Sequence, residues 1–312
     1  MCDPVPKAAA PSAPTIMRLV GPFAGLEDYV SENVPLARFT WFKLGGPARW
    51  MVRPRDLEEL KEAVRRCVEN NIPIYVLGLG ANLLVSDAGV DGAVFRLSEE
   101  YWRGVQFEQD CIRVGAGMEM QKLLLKSIRQ GRSGLECLAG IPGTIGGGIR
   151  MNAGGRFGSI GTIVRTVTVM DTLGAVFERT REDIVFDYRT SNILAKFIIG
   201  AILETTEDDP HRIMQRTKEI WMYKQNTQPL SARSAGCAFK NPPGSSAGLL
   251  IDQTGLKGLT VGGAQVSTRH ANFIIAGPGC TAEHVMTLMK LVQQRVFEAK
   301  GVRLEPEVII WP

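Results

Sequence analysis

The chain has 312 residues, 45% hydrophobic and 22% charged, with a formal net charge of +4. That length allows one large or two ordinary globular domains, and a mild charge without a basic block excludes binding to nucleic acid by electrostatics. No stretch approaches the roughly 18 apolar residues that span a bilayer, and six scattered cysteines without a CxxC pair fit a reducing, cytoplasmic setting rather than a disulfide framework.

Met1 to Pro14 is rich in Ala and Pro and lacks the apolar core of a signal peptide, so residues 1–25 are expected to be a disordered leader. Asp56 caps an expected helix to Asn70, with Leu57, Leu60, Val64 and Cys67 at helical spacing. Ile74 to Leu77, Leu83 to Val85 and Ala93 to Phe95 read as short strands. Met118 to Gln130 reads as a helix stopped by Gly131. Val164 to Met170 alternates and turns at Gly174 into Ala175 to Phe177, a hairpin, and Phe197 to Leu203 is a further strand. Asp209-Pro210 opens a helix ending near Lys224. A loop-rich stretch to Gly263 follows, then a strand at Phe273 to Ile275, a helix from Thr281 to Gly301, and a last strand at Val308 to Ile310. Helices and strands mix without strict βαβ alternation, which argues for α+β. The acidic patch Glu204 to Asp209 is the expected domain boundary.

Two glycine segments stand out. Gly78-Leu79-Gly80-Ala81-Asn82 lies between strand-like runs, and Leu83 continues as strand where a dinucleotide fingerprint would enter a helix. What remains is a tight turn with exposed N–H groups of the kind that hold phosphate oxygens, although most such turns are only turns. From Gly140 to Gly155, seven of sixteen residues are Gly and one is Pro. Glycine costs backbone entropy and buries no side chain, so this run implies close approach of something flat or anionic. Together the loops suggest a cofactor with a diphosphate and a large ring system.

Three further segments carry chemistry. Ser234 to Pro242 sets Cys237 between small residues, with Lys240 and Asn241 close by. An unperturbed thiol, with a pKa of about 8.5, is mostly protonated at neutral pH and so is a proton donor before it is a nucleophile. On this segment alone a small core cysteine is the commoner case. Phe186 to Ser191 places Arg189 beside Tyr188, a fork suited to a carboxylate or phosphate, or else a surface ion pair. Glu307 abuts the final apolar run and is a better oriented-carboxylate candidate than Glu305. Only three histidines are present, and no zinc-type spacing arises, so no metal is expected.

In order along the chain, these pieces resemble the UDP-N-acetylenolpyruvoylglucosamine reductase family, the flavoenzymes that complete UDP-N-acetylmuramate in peptidoglycan precursor synthesis. The resemblance runs from about Asn33 to Ile310 and is carried by Thr40 to Ala48, Leu77 to Leu84, Gly134 to Gly155, Phe186 to Ser191, Ser234 to Pro242, Gly262 to Phe273 and Glu305 to Ile309. The chain lacks the extra length of the longer family type and resembles the shorter, type II form. The resemblance implies a flavin-binding domain of the vanillyl-alcohol-oxidase (PCMH) type in two α+β subdomains, here 26–206, and a smaller α+β substrate-binding domain, 207–312. It implies non-covalent FAD held by Gly78, Gly80, Ala81, Asn82, Leu83, Pro142, Gly143, Thr144, Gly146, Gly147 and Asn152, with NADPH as reductant. It puts the proton donor on Cys237, the carboxylate-polarising arginine on Arg189 and the catalytic glutamate on Glu307. Tyr188, Lys224 and Asn241 are implied to bind the UDP-sugar, Lys224 at its diphosphate. The protein is expected to act as a monomer.

Many members carry serine where this chain has Cys237, which leaves the reaction intact and adds an expected sensitivity to oxidation. Two alternatives remain open on sequence. One is another flavin oxidase or dehydrogenase of the same fold, whose histidine-tethered version is disfavoured because no histidine precedes Pro210. The other is a non-catalytic nucleotide- or flavin-binding module, which would not require Cys237, Arg189 and Glu307 to converge.

Overall fold

The computed structural model describes Leu19 and residues 21–312. Most of the expected leader therefore lies outside the described residues. Its described end is not leader-like, because Phe23 is only 1% exposed and its ring meets Trp50 at 5.4 Å. The packed fold thus starts before residue 26.

The first layer is a four-stranded sheet of β1 (Val30–Pro35), β2 (Pro47–Val52), β3 (Ile74–Val76) and β5 (Val90–Phe95), in the order β1-β2-β5-β3. Strands β2 and β3 both run parallel to β5, and α1 (Leu57–Glu69) makes the crossover between them. Asp56 caps α1 by accepting from the Glu59 N–H, and Leu60, Ala63, Val64 and Cys67 form its buried stripe. A second, five-stranded antiparallel sheet contains β6 (Val105–Phe107), β7 (Cys111–Gly115), the expected hairpin as Val164–Met170 and Val176–Thr180, and Phe197–Glu204. Helix α2 (Met120–Arg129) packs its Leu123, Leu124 and Ile128 into the core that both sheets share.

Two stretches expected to be loops contain helix. Ile145–Arg150 is a short helix, α3, capped by Thr144, whose hydroxyl accepts from the Gly147 N–H. Within the loop-rich stretch after Lys224, Ala247–Gln253 forms α5, capped by Ser246. Glycine-rich composition hid the first helix, since three glycines in six residues give no apolar period. Its buried Ile145 and Ile149 are what hold it.

Helix α4 (Pro210–Thr227) runs one turn beyond the expected end at Lys224. Its buried Ile213 and Ile220 belong to the core shared by the two N-terminal sheets, so packing groups α4 with the first body rather than with the residues after it. The apolar cluster of the C-terminal part starts with Ala235 and includes α5, α6 (Ala282–Lys300) and a three-stranded sheet of Thr260–Val261, Ala264–Val266 and Ile274–Ala276. Phe42 and Leu84 insert into that cluster from the N-terminal side. The last strand, Ile309–Trp311, pairs in parallel with β4 (Leu83–Val85). The turn Gly78 to Asn82 therefore leaves one sheet at β3 and enters another at β4, joining the two parts instead of closing a hairpin.

Candidate active site

Arg189 sits at the tip of the hairpin Phe186–Asp187 and Thr190–Ser191, with φ at +59°, a left-handed conformation uncommon for a residue with a Cβ. Strain of this kind persists only when the surroundings impose it. Here Asn152 does so: its amide donates to the Asp187 carbonyl at 2.9 Å, and its Oδ1 accepts from the Gly161 N–H at 3.1 Å. The Arg189 guanidinium lies 5.0 Å from the Tyr188 ring and donates from Nε to Glu307 Oε1 at 2.5 Å.

The Glu307 side chain is largely buried, and its Oε2 makes no hydrogen bond. Burial pushes its carboxyl above the usual range, with Arg189 and Lys240 opposing. A buried oxygen without a partner costs free energy unless a ligand satisfies it. The Glu307 N–H donates to the Ala238 carbonyl at 2.9 Å, so this acid is pinned beside the residue that follows Cys237.

Cys237 lies on an isolated bridge to Phe273. Asn272 fixes the segment: its carbonyl accepts from the Ala238 N–H at 2.7 Å, while its side-chain amide both donates to the Phe239 carbonyl and accepts from the Phe239 N–H. Burial, with the Glu307 charge adding to it and Arg189 opposing, pushes the Cys237 thiol up to about 12. A raised thiol pKa leaves thiolate scarce, which works against the expected oxidation sensitivity. The three groups implied to be catalytic thus stand in one another's electrostatic field, Arg189 and Glu307 in direct contact.

The Tyr188 hydroxyl accepts from the Asn241 N–H at 3.3 Å, and Asn241 Oδ1 accepts from the Ala247 N–H at the start of α5. Lys224 is buried against Gly140, with Nζ donating to the Ala139 carbonyl at 2.5 Å. Burial, reinforced by the Arg189 charge, pushes its ammonium down to about 8.

The two glycine segments meet. A Cβ on Gly78 would lie 2.8 Å from Thr144 Oγ1, and one on Gly80, at φ +62°, would lie 2.3 Å from the Phe39 carbonyl oxygen. None of the five consecutive N–H groups from Gly78 to Asn82 donates to any described residue. That is a cradle lined with unused donors, and it fits a diphosphate.

The second segment fits less directly than expected. The Gly146 N–H donates to Ala116 at 2.9 Å and the Gly147 N–H to the Thr144 hydroxyl at 3.3 Å, so both are spent internally. Gly143, at φ +150°, and Thr144 keep N–H groups that no described residue accepts, while Pro142 has none to offer. The side chains of Asn82 and Asn152, expected at the cofactor, are also occupied. Asn82 donates to the Glu307 carbonyl at 3.1 Å, and Asn152 holds the Arg189 hairpin as described. Leu83 is buried in strand β4. From Ala81 and Asn82 the cradle takes only backbone donors.

Sequence reasoning missed three supports. Asn272 stands within the Gly262 to Phe273 segment, which gives it no role. Gln121 accepts from the Gly140 N–H and donates to the Leu138 and Ile141 carbonyls, clamping the entry to the glycine run. Thr40, fully buried, accepts from the Leu44 N–H and donates to the Leu44 carbonyl, shaping the loop ahead of β2. Each acts through backbone groups distant in sequence or in a turn, which leaves no periodic signal.

Comparison with known proteins adds the following. Residues 48–179 match the family described as FAD binding domain, and residues 228–311 match the C-terminal domain of UDP-N-acetylenolpyruvoylglucosamine reductase. A UDP-N-acetylenolpyruvoylglucosamine reductase of Symbiobacterium thermophilum is 41% identical over 279 residues, 89% of this chain and 90% of that one. One of Moorella thermoacetica is 40% identical over 288 residues, covering 92% and 95%. The crystal structure of a UDP-N-acetylenolpyruvylglucosamine reductase from Thermus caldophilus superposes with a TM-score of 0.79 at 39% identity, covering 90% of this chain and 98% of that one.

Proposed function

The chain belongs to the UDP-N-acetylenolpyruvoylglucosamine reductase family, and we propose that Cys237, Arg189 and Glu307 carry its reaction. It is an FAD-dependent oxidoreductase that uses NADPH to reduce the enolpyruvyl ether of UDP-N-acetylglucosamine to UDP-N-acetylmuramate in peptidoglycan precursor synthesis. FAD, which the free N–H groups of Gly78 to Asn82 with Gly143 and Thr144 would hold, would supply the hydride chemistry between NADPH and the enolpyruvyl group. The observation that carries the site assignment is Arg189 paired with Glu307, whose buried Oε2 has no partner, with Cys237 in the field of both.

In this reading Arg189 faces the substrate carboxylate. Negative charge spreads onto that carboxylate as the double bond is reduced, and a guanidinium already held by Glu307, on a hairpin that Asn152 braces, stabilises it without reorganisation. Glu307 holds Arg189 and offers Oε2 to the enol oxygen. Cys237 Sγ then gives its proton to the carbon bearing the carboxylate, and the thiolate left behind is eased by Arg189 until solvent reprotonates it. Lys224 meets the UDP diphosphate, with Tyr188 and Asn241 lining the sugar side. The flavin cradle is the free N–H run Gly78 to Asn82 with Gly143 and Thr144.

The flavin-binding part extends through α4, and the substrate-binding part starts near residue 228, in keeping with the packing of Ile213 and Ile220. Among the described residues no helix is long and apolar enough to cross a membrane. We read the protein as cytoplasmic, since both its substrates are charged nucleotides that do not cross a bilayer unaided, and as a monomer. NADPH oxidation by the purified protein tests the function: it should require the enolpyruvyl nucleotide. Oxidation that is indifferent to that nucleotide would contradict the reading.

A further inference from the structure

Arg96 follows β5 directly and has a guanidinium that the fold leaves unused. Residues alternate faces along a strand, so Arg96 leaves the sheet on the side of Val94, and its guanidinium lies 4.8 Å from the Phe39 ring. The guanidinium makes no hydrogen bond or ion pair with any described residue, and its Nε is buried without a partner. The acids nearby are engaged elsewhere: Glu119 takes the Lys122 ammonium at 2.6 Å and Glu99 the Ser98 hydroxyl at 3.3 Å. Burial, then the like charges of Arg103 and Arg53, hold the guanidinium below its usual pKa, so the environment disfavours the cation as it stands. A half-buried cation whose Nε has no partner is costly. An anion would remove that cost.

The neighbouring backbone says where the anion would sit. The Leu77 N–H donates to the Phe95 carbonyl at 2.8 Å, so the segment entering Gly78 runs one strand away from the segment entering Arg96. Gly80 approaches the carbonyl of Phe39, the same residue on which Arg96 stacks, and the Trp41 N–H donates to the Gly80 carbonyl at 3.0 Å. Arg96 and the five free N–H groups of Gly78 to Asn82 therefore border one region on the β3–β5 edge. A planar fork beside a row of N–H donors suits a group with several phosphate oxygens.

We infer that Arg96 is an anion-binding residue that completes the Gly78 to Asn82 cradle and takes the diphosphate of FAD. The inference rests on the FAD reading above and extends it from backbone donors to a specific side chain. The alternative is an arginine that merely covers Phe39.

The test is FAD release from the holoenzyme, followed by dilution and flavin fluorescence across a series of KCl concentrations, for wild type, Arg96→Met and Arg96→Lys. Methionine keeps the apolar stem over Phe39 and removes the charge. Loss of one charge-assisted contact should weaken FAD by roughly 10- to 100-fold in Arg96→Met and flatten the salt dependence. Arg96→Lys should keep the wild-type salt slope. If Arg96→Met does not fold, Arg96→Gln gives the same comparison. An FAD affinity within twofold of wild type, or a weaker affinity with an unchanged salt slope, would overturn the inference. Wild-type protein that holds no FAD at all would instead overturn the cofactor reading on which the inference depends.

Discussion

Arg189 Nε donates to Glu307 Oε1 at 2.5 Å, joining residues 118 apart in sequence and both largely buried. The contact ties the flavin-side hairpin to the C-terminal segment. It also leaves one carboxylate oxygen of Glu307 unused.

Removing one partner of a buried pair strands the other charge, at a cost of about 3–5 kcal/mol. Glu307→Ala should destabilise the protein by about that much in urea unfolding, and Glu307→Gln by clearly less, because an amide oxygen can still accept from Arg189. The pH dependence follows from the raised carboxyl. Glu307 binds its proton more tightly folded than unfolded, so its contribution is fully present below the unfolded value of about 4.3 and is lost as pH rises through its folded value. The stability difference between wild type and Glu307→Gln should therefore shrink or reverse toward higher pH. A difference independent of pH would contradict the assigned shift.

Lys224 loses its charge early. With its ammonium pushed down to about 8, the free enzyme should bind the nucleotide diphosphate less well above that pH. In kcat/KM for the enolpyruvyl nucleotide this appears as an alkaline limb near 8, carried by KM rather than kcat. Lys224→Ala should raise KM and abolish the limb. An unchanged KM in that variant would remove Lys224 from the substrate site.

Much of this site is legible in sequence, for identifiable reasons. Helix α1 announces itself through Asp56 and its four-residue apolar stripe, and α6 through the capping Thr281 and the left-handed Gly301. Cys237, Arg189 and Glu307 stand out as chemistry-bearing side chains within short motifs. Helix α3 does not stand out, because glycines remove the periodic signal and only Ile145 and Ile149 pack. Nor do the pairing partners. Nothing near Asn152 says that its amide will brace Asp187, or that the Gly146 and Gly147 N–H groups will be consumed internally. A motif shows which residue types are present, while hydrogen-bond assignment depends on contacts between distant segments.

FAD should be released, not tethered, when the protein unfolds. The cradle offers backbone donors, and the described histidines, His211, His270 and His284, all lie at or beyond α4. Acid precipitation should leave the yellow colour in the supernatant. Colour that stays with the pellet would mean a covalent bond.

The Cys237 thiol should be inert to alkylation. At a pKa of about 12, only about one molecule in ten thousand is thiolate at pH 8. Iodoacetamide at that pH should leave activity intact over hours, and mild peroxide likewise. Rapid inactivation, with label recovered on Cys237, would show that the thiol is far more acidic than its surroundings imply.

Stopped-flow measurement of the two half-reactions in Cys237→Ala and Cys237→Ser tests the central claim most directly, since it separates proton donation from packing. In Cys237→Ala, flavin reduction by NADPH should keep its wild-type rate, because no proton from this thiol is needed there. Reoxidation by the enolpyruvyl nucleotide should slow by about 10²–10⁴-fold, the usual contribution of a general acid. Cys237→Ser, which still carries a proton, should recover much of the second half-reaction. Equal slowing of both halves in Cys237→Ala, or slowing of neither, would contradict the assignment of Cys237 as the proton donor.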